Sequence, residues 1–297
     1  MRKYIAEFFG TFIVIFLGTA SIVFSTASKN VGALTIPLIF GFAVITSTYA
    51  FGDVSGGHFN PAISFAATIN KRMSWKDFFG YIVGQILGAL SASLLVLLLL
   101  TSYVKTFAVQ LSTNNPNLTA RDFVKRIGVG EVGFVPNQIL YSFLIELIAA
   151  FILVTIFLNL TETRFGNKGF DGLSIGLTIA TLIFVFQPFT GASLNPVRAL
   201  APALVSGNSS ALGQLWVYII APILGGGLAA PISKYLMRTE KEPSAISNLS
   251  NKNEYFDKIK HEDHIEDSDS KNNKKIISKK KSSTKNKNLK KTKKPFK

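Results

Sequence analysis

Two short stretches of the 297-residue chain resemble each other and decide its fold. Residues 55–62 read SGGHFNPA, and residues 190–197 read TGASLNPV. In each, a glycine-containing turn precedes Asn-Pro and a short apolar run, at 62–69 in the first stretch and 197–205 in the second. Asparagine as a cap and proline at the first helical position favour the start of a helix. Each stretch therefore predicts a helix that is too short to cross a bilayer.

Other segments repeat in the same order along the chain, which indicates a duplication. The matched pairs are Phe40-Gly41 with Ile175-Gly176, Glu7 with Glu146, and YIVGQILG at 81–88 with YIIAPILG at 218–225. The two copies occupy about residues 1–110 and 137–237.

The composition is that of a membrane protein, since 48% of the residues are hydrophobic and only 16% are charged. Windows of about 20 residues, the length that crosses roughly 30 Å of hydrocarbon, predict six spans. They cover about residues 4–25, 33–52, 79–101, 138–160, 171–190 and 213–237. Each copy holds three spans, an odd number, so the second copy must lie inverted in the membrane. We predict an all-α membrane protein with six transmembrane helices, two re-entrant half-helices and a functional site near the midplane.

The last fifth of the chain differs from this apolar body. Residues 238–297 hold 18 Lys and Arg against 9 Asp and Glu, within a net charge of +15 for the whole chain, and are rich in Asn and Ser. Such a segment lacks the apolar surface that would offset the entropy lost on folding. The sequence therefore predicts a six-helix membrane body at 1–237 and a disordered, Lys-rich tail at 238–297.

Basic residues in the loops predict the orientation. With a cytoplasmic N-terminus, the tail and the short loops that carry Lys71, Arg72 and Arg164 face the cytoplasm, as basic loops usually do. The long connection at 102–137 then lies outside although it carries basic residues of its own, which weakens the bias without reversing it. We expect a multi-pass protein of the cell membrane with both termini in the cytoplasm.

The chain contains no cysteine and three histidines, which excludes thiol catalysis, disulfides and cysteine-based zinc sites. We expect no metal, no cofactor and no enzymatic activity. A basic tail is also typical of nucleic-acid binding, but this one lacks interleaved aromatic side chains and is joined to a membrane body. We therefore expect it to contact anionic lipid rather than nucleic acid. A membrane scaffold protein would need no polar pore, and the paired Asn-Pro motifs argue against that class.

With these motifs, residues 7 to about 235 resemble the aquaporin, or major intrinsic protein, family. The most specific residues are Asn60-Pro61-Ala62, and Asn195-Pro196-Val197 followed directly by Arg198. Three further matching segments are AEFFGTF at 6–12, GQILG at 84–88 and PILGG at 222–226. Val197 departs from the usual alanine and adds bulk behind its half-helix.

The resemblance implies a passive pore, with one pore in each subunit of a homotetramer. In a narrow apolar pore, Asn60 and Asn195 would donate N–H groups to water from opposite sides, and carbonyls of 53–59 and 188–194 would accept. Both half-helices would point their partially positive N-terminal ends at the midplane. This arrangement opposes the passage of protons and cations.

Two acidic residues inside apolar runs are expected to support the re-entrant loops. Glu7 and Glu146 are costly in a membrane and symmetrically placed, so we expect them to accept hydrogen bonds from the irregular segments. Gln85 is assigned to the same support, and His58 is interpreted as a neutral loop residue beside the first Asn-Pro-Ala. The competing class, a proton-coupled transporter, would need an acid or histidine exposed to the pathway.

By resemblance, four positions line the outer constriction of the pore, namely Phe40, Ile183, Ala192 and Arg198. Arg198 lies within the motif, whereas the other three are placed by their spacing from the asparagines. Phe40 and Ile183 are also compatible with ordinary lipid-facing or core-facing positions. Strict water channels usually have histidine at the position of Ile183, so this ring would be wider and more apolar.

The remaining question is which solute passes. Glycerol-conducting relatives typically carry Asp directly after the motif arginine and Lys shortly beyond it, where this chain has Ala199 and Ala203. These alanines favour water, whereas Ile183 favours larger neutral solutes. We predict a water channel that also passes small uncharged solutes, with an aquaglyceroporin for glycerol and related small polyols as the alternative.

Overall fold

The computed structural model describes residues 1–27, 32–111, 130–162 and 169–237, and among these it gives no side-chain detail for 100–111 and 136. The regular elements of the described residues are helical. They are α1 (Arg2–Ala27), α2 (Thr35–Ser55), α3 (Pro61–Ile69), α4 (Trp75–Leu111), a 3-10 turn (Pro136–Gln138), α5 (Ile139–Leu160), α6 (Asp171–Thr190), α7 (Pro196–Ser206) and α8 (Ser209–Leu236).

Six of these helices, α1, α2, α4, α5, α6 and α8, are long and apolar enough to cross a membrane. Their outward faces carry exposed large apolar side chains, for example Leu98, Leu140 and Leu228, which a soluble protein would bury. The other two helices, α3 and α7, are the short helices that begin at the Asn-Pro motifs. The predicted fold class is confirmed, although α4 and α8 each begin four residues earlier than the hydropathy windows indicate.

The two halves repeat one packing scheme. In the first half α1 packs against α2 and α4, and in the second half α5 packs against α6 and α8 in the same way. The halves meet where α2 packs against α6. Each short helix also packs against a long helix of the opposite half, α3 against α8 and α7 against α4. The short helices are therefore held between the halves.

Glycines permit the closest of these approaches. A Cβ on Gly88 would collide with the carbonyl oxygen of Phe8, and a Cβ on Gly225 would collide with that of Leu147. These two contacts occupy equivalent places in the duplication, one between α1 and α4 and the other between α5 and α8. Small residues thus allow the backbones of the paired helices to approach each other closely in both halves.

The described residues up to 237 belong to one compact unit. The predicted disorder of the Lys-rich tail lies outside the described residues, as do Arg121, Lys125 and Arg126 of the long 102–137 connection.

Candidate pore

The two Asn-Pro motifs start α3 and α7 in the same way. The Asn60 side-chain oxygen accepts from the Ala62 N–H at 2.9 Å, and the Asn195 oxygen accepts from the Val197 N–H at 3.1 Å. Proline follows each asparagine at the first helical position, where no N–H is needed. The cap fixes each amide so that its oxygen faces its own helix and its nitrogen faces away.

The amide nitrogens link the two loops. Asn60 Nδ2 donates to the Leu194 carbonyl at 2.9 Å, and Asn195 Nδ2 donates to the Phe59 carbonyl at 2.9 Å. A side-chain amide carries two N–H groups, so each asparagine uses one N–H for this bond and keeps a second. Both asparagines are nearly buried, and both line the central cavity.

The first loop is anchored by Glu7. Its carboxylate accepts from the Ser55 hydroxyl at 2.7 Å, the His58 N–H at 3.0 Å and the Phe59 N–H at 2.7 Å. It also accepts from Gln85 Nε2 at 2.7 Å. Glu7 has no exposed surface, and these four donors offset the cost of burying its carboxyl group.

The second loop is anchored by Glu146, which is also fully buried. Its carboxylate accepts from the Thr190 hydroxyl at 2.7 Å, the Ser193 N–H at 2.9 Å and the Leu194 N–H at 2.8 Å. The donors occupy the positions equivalent to those around Glu7. The duplication has therefore kept one anchoring scheme in both loops.

These anchors hold an unusual backbone. Phe59 and Leu194 have φ angles of 49° and 59°, in the left-handed region that non-glycine residues rarely adopt. Such residues cost on the order of 1–3 kcal/mol each and persist only where the surroundings fix them. Here the N–H of each is bound by a glutamate and its carbonyl by the opposite asparagine.

Two tyrosines fasten the ends of the helices that precede the loops. Tyr81 donates its hydroxyl to the Ser55 carbonyl at 2.5 Å, and Tyr218 donates to the Thr190 carbonyl at 2.6 Å. The sequence did not predict this fastening role for the two tyrosines, whereas Ser55 and Thr190 lie in the segments whose carbonyls were expected to accept hydrogen bonds from water. All four lie at matched positions of the duplication, so a comparison of polar residues between the copies would have found them.

A cavity of about 40 Å³ lies between the two motifs, with room for a few water molecules. Its lining consists of Val14, Phe40, Val44, Gly57, His58, Phe59, Asn60, Ile63, Leu153, Ile175, Ile179, Leu194, Asn195 and Arg198. Most of this wall is apolar, and its polar side chains are the two asparagines, His58 and Arg198. The cavity therefore offers a few hydrogen-bonding groups within a wall of aliphatic and aromatic side chains.

Arg198 and Phe40 lie together at this cavity. The guanidinium carbon of Arg198 is 5.3 Å from the centre of the Phe40 ring, within the range of a cation–π contact. Arg198 Nη1 donates to the Gly130 carbonyl at 2.8 Å, whereas Nε has no partner among the described residues. The side chain is only 3% exposed, so the long loop that contains Gly130 fixes this cation.

The other two predicted constriction residues are buried but do not line the cavity. Ile183 is 3% exposed and Ala192 is 1% exposed. Ile175 and Ile179 of α6 do line the cavity, and Ile183 follows them at the four-residue spacing that keeps one face of a helix. The structure thus brings Phe40 and Arg198 together, and the role of Ile183 and Ala192 in a constriction stays a prediction.

Among the described residues, no group of three or more His, Asp or Glu side chains lies together in a way that could hold a metal ion. The buried carboxylates are instead occupied by N–H and O–H donors of the loops.

A membrane body of six spans, with two capped half-helices meeting at a central cavity, defines a transmembrane channel. The sequence matches the major intrinsic protein family over residues 1–233, and the chain belongs to this family, whose members are channels rather than enzymes. The predicted family is confirmed.

The chain matches two curated relatives over nearly their whole length. The chain is 44% identical over 230 residues to the glycerol uptake facilitator protein-like 6 of Lactiplantibacillus plantarum, a match that covers 77% of this chain and 95% of that protein. It is 33% identical over 239 residues to aquaporin Z of Brucella melitensis, covering 80% of this chain and 98% of the relative.

Among solved structures, the aquaglyceroporin from Plasmodium falciparum superimposes with a TM-score of 0.62. The match covers 80% of this chain and 96% of that one at 22% sequence identity. This likeness shows a shared fold.

Proposed function

We propose that the chain is a passive channel that conducts water and small uncharged solutes through the cavity between α3 and α7. The observation that carries this proposal is the pair Asn60 and Asn195, each with an N–H left over after the bond that joins the loops. Water in an apolar passage needs only a few such groups to replace its lost hydrogen bonds. Ile63, Ile175 and Ile179 supply the apolar wall around them.

The electrostatics of the cavity favour neutral solutes. Both half-helices begin at the cavity, so their partially positive N-terminal ends face it. Arg198 adds a full positive charge in the same space. A proton or metal cation would meet three positive sources there, and this supports conduction of uncharged molecules.

A glycerol channel is the second candidate, and two observations favour it. The relative that is 44% identical carries the name of a glycerol uptake facilitator. In addition, aliphatic side chains from α1, α2, α3, α5 and α6 line the cavity, and such a wall suits the carbon backbone of a polyol. The alanines at 199 and 203 favour water, so the solute has to be decided by measurement.

Water and glycerol permeabilities of the same proteoliposomes test both candidates. Light scattering follows shrinkage in an impermeant osmolyte and then re-swelling in glycerol, normalised to the amount of inserted protein. Fast shrinkage with slow re-swelling supports a water channel, and fast changes in both support the glycerol candidate. Rates equal to those of protein-free vesicles would reject both. The variant Leu140→Ala, which changes only an exposed outward-facing side chain, controls for the effects of mutation on insertion.

We further propose that the protein lies in the cell membrane as a homotetramer with cytoplasmic termini. Lys71, Arg72 and Lys76 follow α3, and Lys234 lies in the last turn of α8, so basic groups gather at one end of the body. Protease cleavage of the tail in inside-out vesicles, but not in right-side-out vesicles, tests the orientation.

Cross-linking in membranes tests the tetramer, and binding of vesicles with and without anionic lipid tests the contact proposed for the tail.

A further inference from the structure

The first half of the pore contains a series of hydrogen-bonded polar side chains that the second half lacks. Gln85 and Ser64 lie next to Glu7 and His58, but their equivalents in the duplication are proline at 222 and alanine at 199. Glu146 anchors the second loop without such a pair, so Gln85 and Ser64 are polar groups that only the first half contains.

Glu7 determines which way the Gln85 amide faces. Gln85 Nε2 lies 2.7 Å from a Glu7 carboxylate oxygen and 3.0 Å from Ser64 Oγ. A carboxylate accepts and an amide nitrogen only donates, so the opposite orientation would place two acceptors against each other. Gln85 Oε1 accordingly has no partner among the described residues. Ser64 Oγ must then be the acceptor of the bond from Gln85.

Ser64 in turn determines the protonation of one ring nitrogen of His58. Ser64 is fully buried, and its oxygen lies 3.1 Å from His58 Nδ1. Because the Ser64 oxygen accepts from Gln85, Ser64 has one hydroxyl proton left to donate. His58 Nδ1 is the acceptor within reach of that proton. If Nδ1 carried a proton, it could not accept from Ser64. The buried Ser64 hydroxyl would then have no acceptor, which is costly.

We propose that Gln85 and Ser64 act as positioning residues that hold neutral His58 in the tautomer with its proton on Nε2, so that the imidazole offers the pore a hydrogen-bond donor. A neutral imidazole carries one proton, and an Nδ1 that accepts leaves that proton on Nε2. His58 lines the cavity, and its ring packs edge-on against Tyr81 and Phe157, with centroid distances of 5.2 Å and 5.5 Å. The inference deepens the proposed channel function by adding a third neutral donor for the oxygen atoms of passing solutes.

Solid-state NMR of the full chain in lipid bilayers measures the tautomer directly. The other two histidines are at 261 and 264, and replacing both by glutamine leaves His58 as the source of all imidazole signals. At mildly alkaline pH, the ¹⁵N shifts of a histidine-labelled sample distinguish protonated from unprotonated ring nitrogens. We expect Nε2 in the protonated range and Nδ1 in the unprotonated range. The opposite pattern would overturn the proposal.

Two variants test whether Gln85 and Ser64 set this tautomer. In Ser64→Ala and in Gln85→Leu we expect a second set of shifts with the proton on Nδ1. Ser93→Ala is the matched control, because it removes a fully buried serine hydroxyl that has no partner among the described residues, and its spectrum should equal that of the parent. If both variants keep the parent pattern, Gln85 and Ser64 do not fix the tautomer. If a variant fails to insert, the parent spectrum still decides which nitrogen is protonated. The NMR shifts do not depend on solute flux, so a protein that conducts nothing would refute the proposed channel function but not the tautomer.

Discussion

Residues at equivalent positions of the two halves show which parts of the duplication stayed alike and which diverged. Glu7 and Glu146 each accept from one hydroxyl and two backbone N–H groups of their own loop. The positions three residues after the asparagines differ, with apolar Ile63 in the first half and Arg198 in the second. Both of these side chains line the cavity. The scaffold of the pore is therefore symmetric, whereas the groups that a solute meets are not.

Removing a loop anchor should have the largest effect and should be similar in both halves. Glu146→Leu leaves three buried donors of the second loop without an acceptor, and each unsatisfied buried group costs about 1–3 kcal/mol. We expect little folded protein in detergent and a markedly lower unfolding temperature, measured by gel filtration and thermal unfolding, and the same for Glu7→Leu. Ser93→Ala should behave like the parent. If one leucine variant unfolds at the parent temperature, the two anchors are not equivalent.

Removing the charge that only the second half possesses should change selectivity rather than folding. Arg198→Val widens the cavity and removes a cation from its wall, so we expect faster glycerol uptake and measurable cation leakage. Stopped-flow scattering and ion-flux dyes on proteoliposomes measure both. Ile63→Val, at the equivalent position of the first half, should leave both properties near those of the parent. Equal effects of the two substitutions would show that the asymmetry does not control selectivity.

A negative charge at the junction of the two halves should weaken the barrier to cations. In Asn195→Asp a carboxylate replaces the amide that donates to the Phe59 carbonyl, so the bond between the loops is lost at two positive helix ends. We expect reduced water flux and a cation current in bilayer recordings. Asn60→Asp removes the matching bond to the Leu194 carbonyl and should give a similar current. Normal insertion with unchanged flux and no current would refute the central place given to Asn195.

The smallest expected effect tests the placement of Ile183. If its side chain faces the constriction near Phe40 and Arg198, Ile183→His adds a polar group and narrows the ring, so glycerol uptake should fall more than water flux. The ratio of the two permeabilities in matched stopped-flow traces is the measurement. Ile179→Val, one turn earlier on α6 and at the cavity, is the control for a small change in wall volume. An unchanged ratio in Ile183→His would place that side chain away from the passage.

The sequence predicts what depends on local pattern and on the duplication. Hydropathy gave the six spans, and the Asn-Pro pairs predicted helix starts at Pro61 and Pro196. The bond from Asn195 to the Phe59 carbonyl joins residues more than a hundred positions apart, and no local pattern encodes it. The link between Ser64 and His58 could not be predicted either, since the second copy has alanine at the position of Ser64 and offers no matching polar pair.

The exchange of short helices between the halves also bears on how the chain is made. Helix α3 is complete long before α8 leaves the ribosome, yet α8 is the long helix of the opposite half against which α3 packs. The first turn of α3 lies so near α8 that a Cβ on Gly226 would come within 2.7 Å of the Ala62 carbonyl oxygen. The face of α3 that contacts α8 can therefore be covered only once the last span is in place. Translation that stops short of α8 would thus remove a span from the second half and also leave α3 of the first half without this packing partner.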